Sequence, residues 1–433
     1  MPSLQKVKDL MHSKTLIIAA GCVIVVALIA ALAIAGAFTP LVHNAWFPWI
    51  IAGLVTALVV LLIIVTIFAG MPWYRERQFV RQLGAEYRVA GQQSPQELQA
   101  KFSAALREFR ALPQYAAKGD PIYALPWFLL IGHGESGKTE AIKAAGIFSA
   151  LTSAREGATQ NFDAWVSTSM LLLDTTGRYA IPSDVERDRA EWYRLLRLIK
   201  YYRGREPLSG TIIAVAADYL ASQPNDKLRT DAGHLRERIE DAIKVLSVNF
   251  PVYILVTKCD ILDGFDEFVA SLPIRVLNEA LGFIDEPVNG MSVGPSRLHD
   301  GARRLHNGLD TVYQRLSTRA ISVLSGKAVE TLRRPLFCFP EEFRMLAARL
   351  EILLEVLCGE DVRYHTPLLR GVFFSSAHQH ESRCSLLRQH VGIASQPSPA
   401  AAKADSHCFL RDVFEVILPR DRGLASAVVS KAA

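Results

Sequence analysis

Up to Trp73 the apolar residues come in unbroken runs; beyond it they come in strand-length runs or at helical spacing. Residues 15–38 and 50–69 carry no charged side chain. Each reaches the roughly 20 residues that cross a bilayer as a helix, and both are apolar on all sides, unlike a surface helix. Residues 39–49 between them hold two prolines and no Lys or Arg. The pattern predicts a membrane hairpin over 1–74, with spans at about 15–38 and 50–69. Lys6, Lys8 and Lys14 precede the first span and Arg75, Arg77 and Arg81 follow the second, whereas the loop has only His43. The positive-inside rule therefore puts both flanks, and so both termini, in the cytoplasm. Trp46, Trp49, Trp73 and Tyr74 stand at the expected interfaces. A cleaved signal peptide is the alternative for the first run, with Ala33, Ala35 and Ala37 as small cleavage-site residues; its length and the span that follows speak against it.

After the hairpin the pattern alternates. Residues 94–112 place Leu98, Phe102, Leu106, Phe109 and Leu112 at helical spacing behind Ser94-Pro95, a plausible N-cap and first-turn proline. This reads as a linker helix within 75–120. Apolar runs at 127–131, 170–173, 211–216, 252–256 and 369–374 predict buried strands. Residues 231–248 read as a helix, with Leu235, Ile239, Ile243 and Leu246 on one face and Arg236, Glu237, Arg238 and Glu240 on the other. Alternating strands and helices argue for an α/β fold with a doubly wound, mostly parallel sheet. The interval between the fourth and fifth strands is too long for a loop. Within it, 301–324 (Leu305, Leu309, Val312, Leu316, Ile321) and 341–357 (Phe343, Leu346, Leu350, Leu354, Leu357) are periodic. They predict a helical insertion or subdomain over 265–365. The last strand and helix then fall in 366–394. Residues 395–433 read as a linker, marked by Pro397, Pro399 and alanines, and a C-terminal segment.

The chemistry sits at the strand ends. Gly132-His133-Gly134-Glu135-Ser136-Gly137-Lys138-Thr139 fits G-x-x-x-x-G-K-[ST] between the first strand and a helix-like stretch. The strand–loop–helix context identifies a P-loop NTPase domain whose first part spans 121–264. The glycines let successive N–H groups face one anion, and the helix N-terminus adds partial positive charge. Gly132, Gly134, Glu135, Ser136 and Gly137 would cradle the phosphates. Lys138 would reach the β/γ-phosphates, a catalytic as well as a binding role, and Thr139 would ligate Mg²⁺. Asp174-Thr175-Thr176-Gly177 ends the second strand; Asp174 would hold Mg²⁺ and the Gly177 N–H would meet the γ-phosphate. An N-cap Asp at a strand-to-helix turn is the plain alternative. Thr257-Lys258-Cys259-Asp260 ends the fourth strand in a [NT]-K-x-D pattern. There Asp260 would accept the guanine N1–H and N2–H₂ groups while the Lys258 stem covers the base; a plain strand-end turn is the alternative. Ser375-Ser376-Ala377 after the fifth strand would add contacts to the base from Ser376 and Ala377. GTP is favoured over ATP, with Mg²⁺. P-loop hydrolysis needs a group that orients water, often a Gln just after D-x-x-G. Arg178 occupies that place, either stabilising transition-state charge or pairing with Asp184 or Glu186.

Composition excludes several other readings. The net charge of +5 is modest and comes partly from the juxtamembrane arginines, so no nucleic-acid binding is inferred. Cys22, Cys259, Cys338, Cys358, Cys384 and Cys408 form no C-x-x-C pair and indicate no disulfide framework. His378, His380 and Cys384 lack a fourth ligand at standard spacing, so no metal besides Mg²⁺ is indicated. Leu208-Ser209-Gly210 lacks the rest of an ABC signature.

With these motifs in order, the chain resembles the N-terminal half of the IcmF/TssM proteins, large inner-membrane components of type VI secretion systems. The resemblance is carried by residues 125–131 leading into the loop, by Leu173-Asp174-Thr175-Thr176-Gly177-Arg178-Tyr179, and by 251–260 with Gly264-Phe265 after it. Residues 369–376 and 409–414 follow in family order, and the two spans precede the domain as in the family. Thr176 stands where the family usually has Ala, and Asn161-Phe162-Asp163-Ala164-Trp165 keeps one Trp where it tends to have a pair. The resemblance implies a two-pass bacterial inner-membrane protein whose cytoplasmic domain binds nucleotide as an assembly scaffold or switch. Its implied partners are the membrane and other inner-membrane and cytoplasmic type VI components, such as a TssL/DotU-like protein. An outer-membrane lipoprotein partner is not expected of a chain without the family's periplasmic region. The alternative is a membrane-tethered GTPase or ATPase whose turnover powers transport or assembly.

Overall fold

The strands of the computed structural model are β1 (Trp127–Ile131), β2 (Ser149–Ala150), β3 (Phe162–Val166), β4 (Leu171–Thr175) and β5 (Gly210–Ala216), then β6 (Val248–Asn249), β7 (Pro251–Thr257), β8 (Leu281–Ile284), β9 (Leu368–Phe374) and β10 (Ser426–Ala427). Eight of them form one sheet in the order β2-β3-β4-β1-β5-β7-β9-β8. The inner five, β4-β1-β5-β7-β9, are parallel; β3 and β8 pair antiparallel with the outer two of these, and β2 pairs antiparallel with β3. β1, β5 and β7 are buried along their whole length. That is why they read as continuous apolar runs: helices cover both faces of a parallel sheet. The chain leaves β4 on one side of β1 and resumes in β5 on the other. This reversal opens a crevice at the carboxyl ends of the strands, where such sheets bind ligands.

The structure describes residues 95–116, 120–151, 161–285, 301–325, 330–359, 367–377, 384–392 and 407–427. All belong to the unit Val89–Ala433. The two apolar runs expected to form a hairpin lie outside the described residues, as do His378, His380 and the alanine- and proline-rich stretch 396–404. Among the described residues no helix is long and apolar enough to cross a membrane.

The longer helices are α1 (Pro95–Ala111), α2 (Lys138–Ala144), α3 (Val185–Tyr202), α4 (Ala217–Ser222), α5 (Asn225–Leu246), α6 (Phe265–Ala270), α7 (Gly301–Leu324) and α8 (Glu330–Cys358). α1 is where the spacing put it, but it is not a free spacer. Its Phe102 and Phe109 are buried, the Phe102 ring contacts Trp127, Phe162 and Tyr202, and Lys101 bonds Asp163 at 2.7 Å. Burying an aromatic ring against the sheet edge stabilises the docked position by roughly 1.5–3 kcal/mol. α7 and α8 pack on each other, and α8 packs on α5. Leu305, Leu309, Val312 and Leu316 are buried as expected, but Ile321 is 61% exposed and Ala320 takes its place. Position 320 continues the i, i+4 row from Leu316, while one further residue rotates off the face. The stretch between β7 and β9 is not all helical, because its β8 extends the main sheet beside β9.

The C-terminal segment belongs to the core. Leu410, Val413, Phe414 and Leu418 join the cluster built on Phe128, Leu130, Ile212 and Leu255. Asp421 is buried and pairs with Arg370 at 2.7 Å, and the Tyr253 hydroxyl donates to it at 2.8 Å. β10 pairs antiparallel with β6.

Candidate functional site

The glycine-rich loop joins β1 to α2. Two of its glycines are required by space or torsion. A side chain on Gly132 would overlap the Ala214 carbonyl of β5. Gly137 has φ 70°, a left-handed value that favours glycine. Lys138 opens α2 and is 7% exposed. Its ammonium donates to the carbonyls of Gly132 at 2.9 Å and His133 at 2.8 Å, and to the Ser136 hydroxyl at 3.1 Å. Thr139 Oγ1 donates to Asp174 Oδ2 at 2.6 Å. Asp174 is 0% exposed at the end of β4, in register with Leu130 of β1, and its Oδ1 has no hydrogen-bond partner.

Burial governs the charges here. It lowers Lys138 to about 8 and raises Asp174 to about 6, although each charge favours the other. Desolvation thus outweighs their mutual attraction. A divalent cation at Asp174 and an anion at Lys138 would restore both charged forms. Hard oxygen donors, one of them a carboxylate oxygen without a partner, suit Mg²⁺, which is commonly held by one or two protein oxygens plus phosphate and water.

The segment after β4 lies directly on the loop: a side chain on Gly177 would overlap the backbone of Gly134. Arg178, next to it, points to α3. Its guanidinium reaches Asp188 at 2.9 Å, Glu191 at 2.5 Å and the Asn161 side chain at 2.7 Å. The expected partners Asp184 and Glu186 are not used. Asp184 instead caps α3 through the Arg187 N–H, and Glu186 is exposed. In a helix begun at Val185, positions 188 and 191 face inward on one side, three residues apart.

The second cluster is brought up to the first. Thr257 Oγ1 donates to the Ser136 carbonyl at 2.6 Å, tying the end of β7 to the loop. Asp260, 6% exposed, accepts from Ser376 Oγ at 2.7 Å, and Cys259 N–H donates to the Ser375 carbonyl at 3.1 Å. The parallel pairing Val256 with Phe374 sets these two strand ends side by side. Ala377 follows directly, half-buried. Lys258, with φ 58°, reaches Asp218 at 2.9 Å.

A cleft of about 540 Å³ adjoins the loop, lined by His133, Glu135, Asp218, Tyr219, Lys258 and Gln389 among others. The His133 ring lies 4.3 Å from that of Tyr219, and burial lowers its pKa. Asp218 and Tyr219 escaped the sequence reading. Their signal was position alone: they directly follow the apolar run of β5, at the carboxyl end of the sheet. The whole set — loop, Asp174, Gly177, Thr257 to Asp260, Ser376 — is gathered at that edge.

A solved structure of a mutant S. thermophilus NFeoB bound to GDP is similar at a TM-score of 0.22 and 12% identity, covering 54% of this chain and 99% of that one. The type VI secretion system component TssM1 of Pseudomonas aeruginosa is 29% identical over 316 residues, 70% of this chain. The chain spans 28% of the length of that relative. The model of the IcmF-related N-terminal domain matches residues 185–432. That match runs from α3 through the Asp260 and Ser376 loops to the C-terminal core segment, more than half of the chain, and the chain belongs to the IcmF/TssM family.

Proposed function

We propose that the chain is a membrane-anchored, nucleotide-binding component of a type VI secretion apparatus, and that the loop between β1 and α2 takes the phosphates of a Mg²⁺–nucleoside triphosphate. The secretion reading is supported by the similarity to TssM1. The nucleotide reading rests above all on Asp174. A fully buried carboxylate oxygen without a partner is rare in folded proteins; here it is Asp174 Oδ1, on a carboxylate whose other oxygen accepts from the Thr139 hydroxyl and which feels the Lys138 charge. Thr139 and Asp174 would hold Mg²⁺, which when bound neutralises charge on the β- and γ-phosphates. Lys138 would swing from the Gly132 and His133 carbonyls onto phosphate oxygen, exchanging neutral for charged acceptors. The N–H groups of residues 134–139 and of Gly177 would complete the cradle.

Thr257, Lys258 and Asp260, with Ser376 and Ala377, are the base site in this reading. Asp260 offers two acceptor oxygens, which suit guanine and not adenine. Arg178 is engaged by two carboxylates of α3, and this favours a binding switch with slow or partner-stimulated hydrolysis. The second reading, a GTPase or ATPase that drives transport, requires Arg178 to leave Asp188 and Glu191. Residues 15–38 and 50–69 would anchor the domain at the inner membrane with both flanks cytoplasmic. There it would meet other inner-membrane and cytoplasmic components, among them a TssL/DotU-like protein.

Calorimetry on the full chain in detergent, with GTP and ATP and with Mg²⁺ or EDTA, tests the binding. A wild-type chain that takes neither nucleotide, or takes both equally well without Mg²⁺, removes the reading. Single-turnover hydrolysis with and without partner proteins separates switch from motor.

A further inference from the structure

Lys258 is held by a residue outside every motif of the site. It follows β7 in a left-handed conformation, φ 58°, and its stem lies along the loop: a Cβ on Gly137 would lie 3.6 Å from Lys258 Cγ. The ammonium ends 2.9 Å from Asp218 Oδ2. Asp218 stands at the carboxyl end of β5, in the first turn of α4. Its Oδ1 accepts the Tyr219 backbone N–H at 2.6 Å, so the carboxylate is oriented by its own helix.

α4 is fixed in turn. The Tyr219 hydroxyl donates to Asp231 of α5. Arg349 of α8 donates to the Leu220 carbonyl and to Asn225 Oδ1, each at 2.8 Å, and to the Gln223 carbonyl. A partly exposed ion pair adds little to stability. What this one supplies is geometry: a lysine stem drawn out along Gly137 and anchored at its far end loses its rotamer freedom before any ligand arrives.

We propose that Asp218 is a positioning residue for nucleotide recognition, holding the Lys258 stem extended as a preformed wall for the base. The proposal rests on the reading that Thr257, Lys258 and Asp260 receive the base. It assigns Asp218 no contact with phosphate, so it separates base from phosphate affinity.

The test is calorimetry on the full chain in detergent with Mg²⁺–GTP and with Mg²⁺–tripolyphosphate. Immobilising one long side chain in advance is expected to be worth roughly 3–10-fold in affinity. Asp218→Asn should weaken GTP by that factor and leave tripolyphosphate unchanged, and Asp218→Glu should recover much of the loss. Lys258→Met, which keeps the stem and loses the anchor, should match Asp218→Asn. Adding Asp218→Asn to Lys258→Met should cost nothing more. Equal weakening of both ligands, or no weakening of GTP, in either single variant overturns the proposal. The two variants alter different segments, so misfolding of one leaves the other decisive. Wild type that binds tripolyphosphate but not GTP overturns the base reading as well; wild type that binds neither overturns the nucleotide reading with it.

Discussion

Thr139 Oγ1 donates to Asp174 Oδ2 across 2.6 Å, linking the first turn of α2 to the end of β4. The bond settles one oxygen of a fully buried carboxylate and leaves the other without a partner. In the proposed Mg²⁺ site, a hydroxyl and a carboxylate so joined would form half of an oxygen cage. Removing either should be felt first by the ion and only then by the fold.

Lys138→Met is the sharpest separation of binding from stability. The ammonium is buried and its pKa falls to about 8, so its charge opposes folding at neutral pH. The native state releases this proton near 8 and the unfolded state near 10.5. Stability should therefore rise with pH between those values and be lowest below 8. Met removes the penalty and keeps the stem. Thermal melting should show an equal or higher Tm, while triphosphate affinity drops at least about tenfold through loss of a charged phosphate contact of about 1.5–3 kcal/mol. A Tm lowered by several degrees together with unchanged affinity would assign Lys138 to the fold.

Affinity for Mg²⁺–nucleotide should follow a bell-shaped pH profile. Asp174 must be ionised to hold Mg²⁺, and its pKa is raised to about 6, so affinity should fall below that pH. Lys138 must be protonated, so affinity should fall above about 8. Asp174→Asn should abolish the Mg²⁺ dependence and flatten the acid flank relative to wild type, leaving the alkaline one. Titration calorimetry between pH 5 and 9, with and without EDTA, reads both flanks. The same carboxyl flank persisting in Asp174→Asn would locate the titration elsewhere, for instance on the phosphates.

The loop, Asp174 and Asp260 were legible because each lies at or just after the end of a strand that is buried on both faces, and such strands leave continuous apolar runs. α3 was not. Asp188, Glu191 and Arg194 are buried along with Trp192 and Leu195, so charged side chains occupy the inward face and mask the helical period. β3 carries Asp163 at its second position and sits near an antiparallel edge; β8 is four residues long and contains Gly282. β3 is as long as β1 but lacks its unbroken apolar run, and β8 is shorter than any strand of the parallel set. Arg178 illustrates the other limit. Its position after D-x-x-G was plain, but its partners depend on how α3 is turned, which local sequence does not reveal.

Asp421→Ala should unfold the domain far more readily than its place near the end of the chain suggests. Asp421 accepts from Arg370 Nε at 2.7 Å and from the Tyr253 hydroxyl at 2.8 Å, and both ends of the ion pair are buried. Removing the carboxylate leaves a buried guanidinium uncompensated, which costs about 3–5 kcal/mol. Urea denaturation should shift to a lower midpoint with the slope retained. Asp421→Asn, which keeps the acceptor, should lose less. A midpoint within error of wild type for the Ala variant would show the C-terminal segment to be dispensable for the core.

Asp260→Asn tests the base through a change of sign. Asp260 is buried and accepts from Ser376 Oγ at 2.7 Å, so the carboxylate is oriented before any ligand binds. In the proposed base site guanine would present two donors to it. Asn keeps one acceptor and places an amide donor where the second acceptor was, which opposes the guanine N2–H₂ group and suits the carbonyl oxygen of xanthine. An unpaired buried polar group costs about 1–3 kcal/mol, so GTP affinity should fall roughly tenfold or more. Xanthosine triphosphate affinity should rise over wild type by a comparable factor. The reversal matters more than the loss, because a fold defect weakens both nucleotides together. Competition binding with GTP, ATP and xanthosine triphosphate on the same preparations distinguishes the outcomes. If wild type prefers ATP and Asp260→Asn leaves all three unchanged, then Asp260 serves only the turn after β7, through its bond to Ser376, and the base lies elsewhere.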